Sequence, residues 1–160
     1  MAVNAFLKMD GIEGESQDDK HRNEIEVESF SWGASQAGTF ASGSGAGAGK
    51  VQFQDFHFST NVSKASPVLL KFCATGEHIK EATLSVRKSG ESQQDFMFIK
   101  MNDVLVSSYN SAGSRGDALP AEQVSLNFAK IEFTIKTQNA DGSLGGEVRA
   151  GWDLKANKAV

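Results

Sequence analysis

Along most of this chain an apolar residue stands at every second position, the period of a β-strand that buries one face. The alternation predicts strands over residues 2–9, 24–34, 51–60, 79–87, 95–110, 124–138 and 147–154, with turns near Gly90 and over 110–116 and 139–146. Two of these strands change parity part-way. Ile25 and Val27 give way to Phe30 and Trp32, and Val51 and Phe53 give way to Phe56 and Phe58. The first change predicts a bulge or bend near Glu28. One segment has helical spacing instead. Val68, Leu69, Phe72 and Cys73 share a stripe over 67–75. Ser66 is positioned to cap that helix, Pro67 suits its first turn, and Gly76 stops it. The expected class is mainly β with one short helix.

Two segments depart from this pattern. Phe96, Met97, Phe98, Ile99 and Met101 are apolar on both parities, as Val104, Leu105 and Val106 are in part. A half-solvated antiparallel strand alternates, so here the second face needs a cover. Either the helix or another subunit supplies it. The other segment, 38–50, reads Gly-Thr-Phe-Ala-Ser-Gly-Ser-Gly-Ala-Gly-Ala-Gly-Lys. So much glycine gives little to pack and much backbone entropy to lose, which predicts a long loop.

Length and charge narrow the class. The 160 residues suit one domain, 1–160, with a full core. Lys plus Arg is 16 against 20 Asp plus Glu, a net charge of −4 with no basic cluster, which argues against a nucleic-acid binder. The single cysteine, Cys73, excludes an internal disulfide. The start has no signal-peptide pattern. The longest apolar run, Phe96 to Ile99, is far short of the roughly 20 residues of a membrane helix, so no membrane insertion is expected.

Candidate chemistry is sparse. Gly49-Lys50 suggests a phosphate loop, but Ser44 stands where the first glycine belongs and Val51 where a hydroxyl belongs. Gly43 and Gly45 begin a dinucleotide pattern that Ala48 breaks. Asp55 and His57 share a strand face, but two ligands make a poor metal site. His78 follows the helix end, where a cation is favoured. Cys73 on the apolar stripe reads as a packed thiol. Glu24, Glu26 and Glu28 line one strand face, which reads as solvated or interface surface. No catalytic residue, metal or cofactor is assigned.

A set of short motifs in order does carry a resemblance. It comprises Gly14-Glu15-Ser16 with Lys20-His21, Glu24-Ile25-x-Val27, Ser31-Trp32-Gly33 with Ser35-Gln36, and Gly47-Ala48-Gly49-Lys50-Val51. Asp55 with Phe58, Ser66-Pro67, Gly76 with His78, and Arg87-Lys88 continue it. It closes with Val104-Leu105-Val106-Ser107-Ser108, Glu122-x-Val124-x-Leu126-Asn127-Phe128-Ala129, and Gly151-Trp152. Almost end to end, the chain resembles the Hcp family, the tube protein of the bacterial type VI secretion system. The resemblance implies an antiparallel β-barrel with one lateral helix. It also implies homohexameric rings with a wide hole, stacked into a tube inside a contractile sheath and capped by a spike protein. Some members carry small effector proteins in the lumen. The implied location is cytoplasmic during assembly, then outside the cell without a signal peptide.

Under that resemblance the odd segments acquire roles. Phe96, Met97, Phe98, Ile99 and Met101 become the ring interface. Gly38, Gly43, Gly45, Gly47, Gly49 and Lys50 become a ring-stacking loop. Phe30 and Trp32 face the core, so Ser29, Ser31 and Gly33 face outward, lining the lumen or plain solvent-exposed surface. The alternative from another class is a monomeric small-ligand-binding barrel. An enzyme ranks third.

Overall fold

The computed structural model describes residues 3–38, 50–88 and 93–160. The strands are β1 (Val3–Met9), β2 (Ile25–Val27), β3 (Ser29–Ser31), β4 (Ala34–Ser35), β5 (Gln52–Phe53), β6 (Phe56–Asn61), β7 (Ile79–Lys88), β8 (Asp95–Ala112), β9 (Ala121–Gln138), β10 (Leu144–Asp153) and β11 (Lys158–Ala159). One helix, α1 (Ser66–Thr75), lies between β6 and β7. All the ladders are antiparallel.

The predicted bend at Glu28 closes the barrel. Before it, β2 pairs with β1, Ala5 opposite Val27. After it, β3 pairs with β6, Phe30 opposite Phe58. The Glu28 amide itself bonds the Ser59 carbonyl at 2.8 Å. From β6 the ladders run to β9, β8, β7 and back to β1. The result is an antiparallel β-barrel with one helix packed on β8. The second parity change, between Phe53 and Phe56, splits β5 from β6, and β5 joins β4 in a separate ribbon.

Inward parity fills the core: Leu7, Ile25, Phe56, Leu84, Ile99, Met101, Val104 and Leu126. Phe30 and Trp32 pack against it as expected, Phe30 stacked on Phe56 and Trp32 edge-on to Phe133 at 5.0 Å. The doubly apolar segment resolves by residue. Ile99 and Met101 are fully buried in the monomer's own core, which corrects their expected place at a ring interface. Phe96 is the bulged residue of β8, extra between the Val86–Met97 and Arg87–Asp95 pairs. The Lys136 ammonium lies 5.2 Å from the Phe98 ring, so lysine covers part of the outer face. Phe96, Met97 and Phe98 stay half-buried.

The helix starts one residue earlier than its predicted cap. Ala65 holds the N-cap position with no side-chain cap bond, and Ser66 is already helical. The Ser66 hydroxyl instead accepts from the Ser63 amide at 2.9 Å, fixing the turn before the helix. Gly76 ends the helix in the left-handed conformation, φ 69°, as its position predicts.

The polar stretch between β1 and β2 is a strap over the barrel's outer face. The Gly14 amide bonds the Asn23 carbonyl at 2.8 Å, and Asn23 bonds back to Ser16 at 2.8 Å. A Cβ on Gly14 would collide with the Glu24 backbone, so that close approach requires glycine. Beneath the strap lie Phe6, Ser85 and Arg87, all buried. Both terminal nitrogens of Arg87 hold the Asp18 carboxylate. Arg87 keeps the Asp18 carboxyl below the ordinary carboxylate range, chiefly through that hydrogen bond.

Two predictions follow from burial and charge. Leu126→Ala should lose about 2–5 kcal/mol of stability by chemical denaturation. Leu119→Ala, at a side chain 53% exposed, should change it by less than about 0.5 kcal/mol. The Asp18 contribution is present above the unfolded carboxylate pKa of about 3.9 and lost as pH falls through the lower folded value. Asp18→Asn should therefore cost about 3 kcal/mol at neutral pH, with the gap to the native chain closing in acid. A gap of equal size at all pH values in urea titrations would contradict this.

Candidate assembly and lumen surfaces

The register of four neighbouring strands assembles a polar face of small residues. Ser31 opposes His57, His57 opposes Ser125, and Ser125 opposes Ser108. One row away, Ser29 opposes Ser59, Ser59 opposes Gln123, and Gln123 opposes Asn110. The side chains of a strand alternate between faces, so Phe58, Val124 and Leu126 fill the core while their neighbours point out. Ser29, Ser31, His57, Ser59, Ser108, Asn110 and Gln123 line a shallow open groove of about 370 Å³, while Ser125 is buried.

Hydroxyl bonds hold this face in shape. Ser29 and Ser59 share one at 2.5 Å. Ser125 shares one with Ser107 at 2.8 Å and one with Ser108 at 2.5 Å. A bulge between Val106 and Ser108 brings both of these serines alongside Ser125. Asp55 anchors the margin, accepting from Ser107 at 2.7 Å and from the Asn127 amide at 2.9 Å. Asp55 is thus committed to this network, and His57 stands exposed in the serine row. Behind the face, Tyr109 donates to the buried Glu122 carboxylate at 2.5 Å. Burial, then the adjacent carboxylate, raises the Tyr109 phenol above its ordinary range. The phenol therefore stays a donor at neutral pH.

The expected lumen residues are placed by this geometry. Ser29 and Ser31 are exposed in the groove. Gly33 is half-buried beside the Gln54 side chain, past the end of β3. Of the stacking loop, Gly38 and Lys50 are exposed ends, while Gly43, Gly45, Gly47 and Gly49 lie outside the described residues. His78 is exposed, its Nδ1 2.6 Å from Asp103, which also accepts from Lys155 at 2.8 Å. The hydrogen bond from Lys155, then the one from His78, holds Asp103 below the usual carboxylate range. Cys73 is half-buried against the core, as the helix stripe implies.

Sequence reasoning missed two features. His57, Ser59, Ser108, Asn110, Gln123 and Ser125 complete the serine face. The alternation Gln123-Val124-Ser125-Leu126-Asn127 carried that signal, but its alignment with Ser31 needed the register. The second is an arm. The far halves of β9 and β10 run past the closed barrel, and Glu147 to Ala150 are exposed. Among the described residues, the outer edge of β10 pairs only at Trp152 and Asp153, with β11, plus the Val160 amide on Gly151. The arm's inward parity carries Met97, Ile135 and Val148 in one cross-strand row that continues the core pattern into the open.

Among the described residues, no group of three metal-ligating side chains converges. No described helix is long and apolar enough to cross a membrane.

Comparison with known proteins agrees with this architecture. A family model described as "Type VI secretion system effector, Hcp" matches residues 6–135. Protein hcp1 of Pseudomonas aeruginosa is 42% identical over 159 residues, covering 98% of each chain. Among solved structures, Hcp1 of Salmonella typhimurium superposes with a TM-score of 0.85 at 39% identity, covering 100% of both chains. A structure titled as a type six secretion system protein reaches a TM-score of 0.94 at 30% identity, covering 99% of this chain and 100% of its own. With the family match spanning most of its length and a near full-length relative at that identity, this chain belongs to the Hcp family of type VI secretion system proteins.

Proposed function

We propose that this chain is the building block of a secretion tube: six copies close into a ring, rings stack, and the serine face lines the channel. Hcp is a family of secreted tube proteins rather than of enzymes, and the finer assignment rests on one observation. The β9–β10 arm leaves apolar side chains and an unpaired strand edge outside its own barrel. An exposed edge of this kind invites another strand. A contact that joins unlike surfaces and closes on itself gives a cyclic oligomer. The ring interface then centres on Met97, Ile135 and Val148, with Phe96 and Phe98 at its margin, while Ile99 and Met101 support it from the core.

The serine face suits a channel wall. Its short hydroxyl side chains are mostly engaged with one another, so they offer passengers weak, replaceable contacts. Small effector proteins are the expected cargo, and the spike protein and contractile sheath the expected neighbours at the tube's tip and exterior. Assembly in the cytoplasm and export without a signal peptide complete this reading. The glycine-rich loop 38–50 is assigned to ring stacking on its sequence: ordering so much glycine on a neighbour costs entropy, which keeps stacking weak.

Three experiments test the assignment. Sedimentation of the purified chain should show hexamer mass, and deletion of residues 43–49 should keep that mass while shortening tubes seen by negative-stain electron microscopy. Particles of monomer mass at every concentration would overturn the ring, and unchanged tube length would overturn the loop assignment. Replacing Ser31 with a bulky residue should preserve the ring and reduce effector co-purification severalfold; undiminished co-purification would remove the serine face from the channel wall.

A further inference from the structure

Beneath the strap, one side chain has more acceptors around it than a neutral ring can serve. His21 is 5% exposed and lies flat on Phe6, the ring centroids 4.4 Å apart and the planes 8° apart. Its Nδ1 is 3.0 Å from Glu24 Oε1. Its Nε2 is 3.0 Å from Asp95 Oδ2 and 3.2 Å from Oδ1. Glu24 is at the strap's own end, whereas Asp95 opens β8, 74 residues away. The remaining charges of the cluster are Arg87 on β7, 4.9 Å from the Phe6 centroid, and its partner Asp18 in the strap.

A carboxylate only accepts hydrogen bonds, and an imidazole has two N–H groups only when charged. Both bonds therefore stand together only with His21 as the imidazolium. We propose that His21 is a pH-responsive staple fastening the strap between β1 and β2 to the start of β8. With a proton on each nitrogen both bonds hold. When the ring gives up one proton, one nitrogen turns its lone pair on a carboxylate. The staple opens on the Glu24 or the Asp95 side, and the strap is then held by the Asp18–Arg87 pair and by Glu15 on the Lys64 amide. The contribution is therefore full while the ring is charged and is lost, on raising the pH, once it becomes neutral. Glu15 and Gln17 sit on the strap and, with Glu26 and Glu28, wall an adjoining open groove. Loosening the staple loosens that wall. The proposal stands apart from the ring assignment, since every group in it belongs to one chain.

Hydrogen exchange on the full-length chain, read by mass spectrometry and corrected for intrinsic rates, tests it by comparing about pH 5.5 with about pH 8. Peptides covering residues 14–24 should lose about tenfold in protection relative to the β8–β9 core on going to the higher pH. His21→Gln, which has one donor group and no titration, should flatten that difference. If His21→Gln does not fold, Asp95→Asn serves instead: it removes the distant acceptor charge and should shrink the pH difference. Protection of 14–24 that does not change with pH in the native chain overturns the staple, as does a pH difference of native size in the variant that folds.

Discussion

Every β-strand has two hydrogen-bonding edges, and each must be met by another strand, a loop or water. That constraint organises this molecule. β8 and β9 are 18 residues each and pair with each other along almost all of that length, so no single strand covers the other edge of β9. On one edge β9 meets β6 along its first part and β10 along its last. The barrel closes only because the chain bends at Glu28 and passes from β1 to β6. The length that exceeds the closed barrel becomes the arm, and with it the surface to which assembly is assigned.

The polar architecture follows from the same register. Outward positions of four strands come together as a row of serines with His57, Gln123 and Asn110. Few large side chains stand on this face, so it has no built pocket and holds its shape through hydroxyl bonds instead. A second cluster of charges lies under the strap, where Arg87, Asp18, His21, Glu24 and Asp95 are paired with one another. Buried charges are tolerated only when paired. Here the pairing joins segments distant in sequence and keeps a strap without regular secondary structure against the barrel.

The barrel's strands were legible because their apolar residues alternate, and the bend at Glu28 because the alternation changes parity there. The helix was legible too, from its stripe and from Gly76, though not its cap. Ser66 has the right chemistry for a cap, but its hydroxyl is taken by the Ser63 amide, a contact set by the preceding turn. The doubly apolar run left helix and subunit open as its cover, and the family resemblance pointed to an interface. Its pattern does not distinguish Ile99 and Met101, which point into their own core, from Phe98, whose cover is the Lys136 side chain of β9.

What the amino-acid order determined by itself was local: which residues alternate, where the backbone turns, and the absence of a charge pattern for nucleic acid. Family membership was also written in the chain, because short motifs in fixed order survive as a linear record. The groupings were decided by tertiary structure alone. Ser31 meets Ser125 and Ser108 only through the register of β3, β6, β9 and β8, and His21 meets Asp95 only when the strap lies down on Phe6. Strand register depends on backbone bonds and strap placement on side-chain pairs, in both cases between residues distant in sequence, and no spacing along the chain encodes them.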